Sequence, residues 1–327
     1  MISELQIEAA VKQMFEDIVF PAEPAGLYEP LRYMLSIGGK RIRPTLCLTA
    51  YSAFRDRLVE EDVTEAARAL EIFHSFTLLH DDIMDNSPLR RGKETVWKKW
   101  GQDTAILSGD AMYTDSIRRM SKVPHKYLDR VLDIFERTAI QVMEGQQYDM
   151  DFENRDRVSM EEYSTMIGLK TAALLACSAE IGAVLAGAGK EAADAMSGYG
   201  YELGMAFQIA DDYLDAFGDE KVFGKPIGGD ILNGKKSWLT VRACEKSADK
   251  PAFLRALGER AVTEEEKGEK IATVKNIYCE LGVDTDASAE IERHSALALE
   301  AISGLRIGSL RQKMLRRFAE NLVGRAK

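Results

Sequence analysis

Residues 125–225 contain no proline, and neither do residues 45–87. A proline inside a helix costs roughly 3 kcal/mol, because it removes a backbone donor and collides with the preceding turn. Such gaps suit long helices better than turn-rich sheets, and the apolar spacing agrees. From Glu65, the run EAARALEIFHSFTLLHDDIMD places Ala66, Ala69, Leu70, Phe73, Thr77 and Leu78 at helical intervals, and Tyr127 to Tyr148 forms a second amphipathic helix. Residues 160–218 read as two or three helices, with breaks expected near Gly187–Lys190 and Gly198–Gly200. No alternating strand pattern, internal repeat or Gly/Ser/Pro-rich linker is present. The expectation is an all-α protein with one domain over residues 1–327.

Of the 327 residues, 46% are apolar, too many for a disordered chain. The net charge of −10, with no long basic run, argues against nucleic acid as a partner. It also means that an anionic ligand must be met by locally placed cations or by metal ions. Cys47, Cys177, Cys244 and Cys279 stand far apart without a C-x-x-C pair, as expected of thiols in a reducing, cytoplasmic setting. The N-terminal MISELQIEAAVKQMF lacks a signal-peptide pattern. Thr171 to Gly189 is apolar but rich in Ala and Gly, with Glu180 at its centre. That composition suits a helix buried in a soluble bundle, so no transmembrane segment is expected.

Residues 80–91 read HDDIMDNSPLRR. On a helix, Asp81 and Asp85 project side by side, with Asp82 adjacent. Three acids in one turn repel one another unless a cation neutralises them, and Mg²⁺, which binds one or two carboxylates together with substrate phosphates, suits best. Residues 208–219, QIADDYLDAFGD, repeat the arrangement with Asp211, Asp212 and Asp215 among apolar neighbours. Two such turns facing a cavity would hold several Mg²⁺ ions and, through them, a diphosphate. Cations follow the same map: Lys40, Arg41 and Arg43 in IGGKRIRP, then Arg90 and Arg91, Lys170 with Thr171, Lys225, and Lys235 with Lys236. Lys170-Thr171 is expected at the start of a helix, where anions are favoured. The distribution suggests two phosphate-bearing ligands.

GGKRIRP, HDDIMDNSPLRRGKET, GLKTAALL, FQIADDYLDAFGD and GKPIGGD, in that order, resemble the trans-isoprenyl diphosphate synthases, the farnesyl and geranylgeranyl diphosphate synthase group. The resemblance implies an all-α, single-domain helical bundle of isoprenoid synthase type around a deep central cavity, a homodimer, and three Mg²⁺ in the active complex. It implies that isopentenyl diphosphate is held by Lys40, Arg43, His74 and Arg91. An allylic diphosphate would be bridged by Mg²⁺ to Asp81, Asp85 and Asp211, with Asp82, Asp212 and Asp215 in support. Arg90, Lys170, Lys225 and Lys235 would contact that diphosphate, and Thr171 and Gln208 would line the reacting centre. Glu94 and Trp97 stand where the family has Pro and His, which leaves the local loop open.

The implied reaction is ionisation of the allylic diphosphate, attack by isopentenyl diphosphate and loss of a proton, with water excluded. Chain length would be set by Phe73, Phe76 and Thr77, one to two turns before Asp81. An aromatic at Phe76 beside Thr77 gives an expectation of a C15 to C20 product, with C20 favoured. A class I terpene cyclase is the alternative on the same fold, but such enzymes replace the second acidic triple, and here all three acids stand. A phosphohydrolase reading of His80-Asp81 lacks further suitably spaced histidines. A non-catalytic partner subunit would be expected to have lost one acidic cluster.

Overall fold

Ser3 caps the first helix by accepting the Gln6 amide, while the Gln6 side chain returns to the Ser3 backbone. The same reciprocal cap recurs at Ser159 with Glu162 and at Thr263 with Glu266. The computed structural model describes residues 2–58, 60–218 and 227–324. In chain order the helices are α1 (Glu4–Glu16), α2 (Ala25–Ser36), α3 (Ile42–Ser52), α4 (Glu60–Met84), α5 (Val96–Trp100), α6 (Gln102–Met120) and α7 (Leu128–Glu153). There follow α8 (Met160–Ile167), a π turn (Gly168–Ala172), α9 (Ala173–Leu185), α10 (Lys190–Phe217) and α11 (Gly229–Leu232). Then come α12 (Trp238–Lys246), α13 (Lys250–Gly258), α14 (Glu264–Glu280), α15 (Val283–Ala301) and α16 (Ser309–Val323). The protein is all-α.

Two strands of two residues, β1 (Leu89–Arg90) and β2 (Lys93–Glu94), form an antiparallel hairpin that the periodicity did not signal. Its turn residues Arg91 and Gly92 have φ of 52° and 74°, the left-handed pair that matches strand twist in a two-residue hairpin. Of the two departures, Trp97 serves this loop through its side chain, whereas Glu94 lends it only a backbone carbonyl that any residue would supply. The Glu94 carbonyl accepts the Tyr33 hydroxyl at 2.7 Å, and Trp97 Nε1 donates to the Ser87 carbonyl at 2.8 Å.

The chain divides into two compact units. The first comprises Met1–Glu136, Cys177–Ser197 and Leu305–Leu315. Here α4 packs along α6, and the ring of Phe73 lies 5.6 Å from Phe76, 6.0 Å from Tyr113 and 5.4 Å from Phe135. Burying such a ring contributes roughly 1.5–3 kcal/mol, so this aromatic knot anchors the helix that ends in the first acidic cluster. On α6, a Cβ added to Gly109 would sit 2.2 Å from His80 Nε2, so the His80 ring would have to move aside to admit one.

The second unit comprises Arg137–Ala176, Gly198–Gly304 and Arg316–Lys327. Helix α10 runs unbroken through Gly198 and Gly200, where a break was expected. The reason is close packing. A Cβ on Gly200 would lie 2.5 Å from the Leu175 carbonyl, and one on Gly204 2.4 Å from Ala172 Cα. Met160 to Leu185 is long and apolar enough by composition to cross a membrane, yet 83% of its most apolar window is buried inside the protein. All four cysteines are free thiols, with Cys47 and Cys177 buried.

Candidate active site

Both acidic triples sit at the wrong end of a helix for negative charge. The partial negative charge of a helix gathers at its C-terminus. Helix α4 ends at Met84, immediately among Asp81, Asp82 and Asp85, and α10 ends at Phe217, just past Asp211, Asp212 and Asp215. Neither helix carries a basic residue in its last turn. Each terminus is therefore a place where a cation stabilises the fold as well as binding to it.

In the first unit, the Asp85 amide bonds the Asp81 carbonyl at 2.9 Å, which keeps the two acids one helical turn apart. Asp82 is buried at 2% exposure, and the hairpin returns Arg90 onto it. Arg90 Nε reaches both Asp82 oxygens at 3.0 Å and Nη2 reaches Oδ1 at 2.9 Å. Burial lifts the Asp82 carboxyl above its ordinary range, Arg90 pulls the other way, and Asp81 adds to the lift. Asp82 thus fixes Arg90, while Asp81 and the exposed Asp85 flank it.

Around His74, one to two turns back along α4, the cations gather. Burial and the charges of Arg43, Arg90, Arg91 and Arg41 hold its imidazole well below the usual range, so it is neutral at pH 7. Burial also lowers the Arg43 guanidinium to about 10, with Glu71 opposing that shift and Arg91 adding to it. The preceding turn is built for close approach. Gly38 and Gly39 have φ of 80° and 147°, and a Cβ on Gly39 would lie 2.4 Å from Arg91 Nη1. Lys40 is exposed beside them. Arg43, His74, Arg90 and Arg91 are thereby brought into one electropositive cluster. Thr77 turns its hydroxyl to the His74 carbonyl at 2.8 Å, Phe76 stacks edge-on to His80 at 4.8 Å, and Phe73 is fully buried.

In the second unit, Asp212 is the hub. It accepts from the Trp238 amide at 2.7 Å, from Gln208 Nε2 at 2.9 Å and from the Tyr163 hydroxyl. Burial, then Asp230, push its carboxyl up to about 7, against the pull of Lys235 and the donated bonds. Tyr163 stays a neutral donor, its phenol raised by burial and by Asp212. Thr171 passes its hydroxyl to Gln208 Oε1 at 2.8 Å, which sets the amide so that its nitrogen faces Asp212. Asp215 Oδ2 accepts the Asp230 amide at 2.9 Å, tying the start of α11 to the cluster.

Lys170 lies in the π turn, not at a helix start as expected. Gly168 keeps helical dihedrals, so α8 continues through the turn into α9. A single π turn shifts the register of one helix face, a device common at functional sites. Here it accompanies the near contact of Gly145 on α7, where a Cβ would lie 2.3 Å from the Lys170 amide. Lys170 Nζ meets Asp149 at 2.6 Å. Lys170 and Lys235 hold the Asp149 carboxyl below its ordinary value despite burial. Lys235 also stands 4.0 Å from Asp230.

Sequence reasoning missed Tyr163, Trp238, Asp149 and Asp230 as partners of these groups. Only Asp230 carried a signal, in the GKPIGGD run. Lys225, an expected diphosphate contact, lies outside the described residues. Among the described residues, no three His, Cys, Asp or Glu side chains gather closely enough to hold a metal ion alone. Paired hard carboxylates one turn apart still fit Mg²⁺, which completes its shell with water and substrate phosphate oxygens.

The sequence pattern of polyprenyl synthetases matches residues 24–275. A short chain isoprenyl diphosphate synthase of Methanocaldococcus jannaschii is 42% identical over 252 residues, covering 76% of each chain. Another, of Methanothermobacter thermautotrophicus, is 33% identical over 307 residues, covering 93% of this chain and 91% of that one. The crystal structure of a geranylgeranyl pyrophosphate synthase superposes with a TM-score of 0.93 at 41% identity, covering 99% of both chains.

Proposed function

The chain belongs to the polyprenyl synthetase family, and on that premise we propose that it is a short-chain trans-prenyltransferase. It condenses isopentenyl diphosphate with an allylic diphosphate (dimethylallyl, geranyl or farnesyl) to an all-trans C15–C20 prenyl diphosphate, releasing diphosphate. The observation that carries the reading is the pair of acidic triples, each at a helix C-terminus that lacks a basic residue of its own.

In this reading Asp81, Asp85 and Asp211 hold Mg²⁺, three ions in the active complex. Bound there, the metal offsets the charge that develops on the departing diphosphate. The chain's own residues do the rest. Asp82 aims Arg90, and Asp149 holds the Lys170 ammonium until a diphosphate competes for it. Lys235 adds charge for the allylic diphosphate, as is expected of Lys225, which lies outside the described residues. Asp212 is fixed by three donors, so that Asp211 and Asp215 keep their direction without reorganising during the reaction. Lys40, Arg43, neutral His74 and Arg91 receive the diphosphate of isopentenyl diphosphate. Thr171 and Gln208 border the reacting carbons. Phe76, with Thr77 and Phe73, limits growth of the chain.

The reading further takes the enzyme to be a cytoplasmic homodimer; Ile106 and Leu107 of α6, 40% and 62% exposed, are apolar side chains that such a contact could cover. Incubation with labelled isopentenyl diphosphate, each allylic primer and Mg²⁺ tests the function. Elongated prenyl diphosphates of up to twenty carbons are expected. Recovery of only cyclic hydrocarbon, or only free phosphate, would refute it.

A further inference from the structure

Glu71 lies on α4 one turn before His74 and is 4% exposed. Its Oε1 accepts Arg41 Nη1 at 2.9 Å. Its Oε2 is buried and meets no hydrogen-bond donor, and the Nε–H of Arg43 is likewise buried and without an acceptor. Orphaned polar atoms inside a protein are rare, and each calls for a cause. These two are complementary, one acceptor and one donor, and the charge of Glu71 acts on Arg43 and on Arg91.

Arg41 is held from three sides. Besides Glu71, its Nη2 donates to the Leu35 carbonyl at 2.7 Å, and its guanidinium lies 4.5 Å from the centre of the Phe15 ring. Its own backbone is left-handed, at φ 48°. Arg41 therefore spends its donors inside the protein, although it stands in sequence between Lys40 and Arg43. It is a strut that ties the turn after Gly39 to α4.

We propose that Glu71 is a positioning residue for the anion cradle formed by Lys40, Arg43, His74 and Arg91: through Arg41 it fixes the turn that carries Lys40 and leads into Arg43 at the start of α3, and its second oxygen receives the Arg43 Nε–H when a diphosphate draws that guanidinium inward. The inference deepens the function proposed above and rests on it. It also fixes a sign. A carboxylate beside an anion site repels the anion, so removing its charge would by Coulomb's law alone tighten anion binding. If Glu71 works by holding the arginines together, removing the charge weakens binding instead.

Glu71→Gln keeps the size of the side chain and can still accept from Arg41. The expected result is a rise of about tenfold or more in KM for isopentenyl diphosphate, the scale of one charge-assisted hydrogen bond, with KM for the allylic diphosphate within about twofold of wild type. Arg41→Gln should do the same, and the double variant should be no worse than the weaker single one. Calorimetry with inorganic diphosphate in the absence of Mg²⁺ gives a readout independent of turnover, and weaker binding to Glu71→Gln is expected there too. Unchanged or tighter diphosphate binding, or an equal rise in both KM values, would overturn the proposal. A wild-type protein that binds diphosphate but forms no elongated product would overturn the proposed function instead, while the calorimetric comparison would still decide on Glu71.

Discussion

Substituting Gly204 by alanine probes the packing that holds the second half of the candidate site. The new Cβ would lie 2.4 Å from Ala172 Cα and 2.8 Å from Ala172 Cβ. Ordinary contact begins at 3.4 Å, so α10 and the π turn must part by about 1 Å (3.4 − 2.4). The obstacle is backbone, and no side chain can rotate aside. Overpacking of this kind costs about 1–3 kcal/mol, while alanine recovers about 1 kcal/mol of helix propensity. The net loss is roughly 0–2 kcal/mol. Gly198, on the same helix, supplies the control. A Cβ there meets only Ala301 Cβ at 3.6 Å, so Gly198→Ala should be stabilising by about 0.4–1 kcal/mol. Thermal unfolding followed by circular dichroism should rank Gly198→Ala above wild type and Gly204→Ala below it. Turnover should fall much further than stability in Gly204→Ala, by up to about a hundredfold, because Thr171 and Lys170 move relative to Gln208 and Asp212. Should the two variants melt together with wild-type turnover, the claim that Gly204 sets this geometry is wrong.

Tyr163→Phe removes one of three donors from buried Asp212, so a loss of about 1.5–3 kcal/mol is expected in denaturant titrations, together with a higher Mg²⁺ requirement in the condensation assay. Phe76→Ala should lengthen the product, read by chromatography of the dephosphorylated prenols; an unchanged product would remove Phe76 from that role. His74 makes the ligand-free protein acid-sensitive. Below its unfolded pKa of about 6.5 the unfolded chain binds a proton that the folded chain refuses, so stability falls as pH drops, by up to about 1.4 kcal/mol per unit. Denaturant midpoints between pH 7 and pH 5.5 should show that slope in wild type and a shallower one in His74→Gln.

The acidic triples were legible because a helix converts their spacing directly into a shared face, and α4 and α10 are long, continuous helices. The cations next to them were legible for the same reason of proximity in sequence. What pairs with them was not. Tyr163 stands 49 residues from Asp212 and Trp238 26 residues from it, and each bond depends on how separate helices pack. Glycine was the most misleading signal. At Gly198 and Gly200 it suggested a break, whereas at Gly200, as at Gly204, it is the absence of a Cβ that lets an unbroken helix lie against its neighbour. Lys170 was placed at a helix start by composition, since nothing in a sequence distinguishes a π turn from an ordinary helical one.

The central proposal is that Asp81, Asp85 and Asp211 bind an allylic diphosphate through magnesium. A crystal structure with Mg²⁺ and an allylic thiolodiphosphate that cannot ionise tests it most directly. The account predicts metal ions bonded at once to the ligand's phosphate oxygens and to Asp81, Asp85 and Asp211. A diphosphate bound to one acidic cluster alone, or bound without metal, would contradict it.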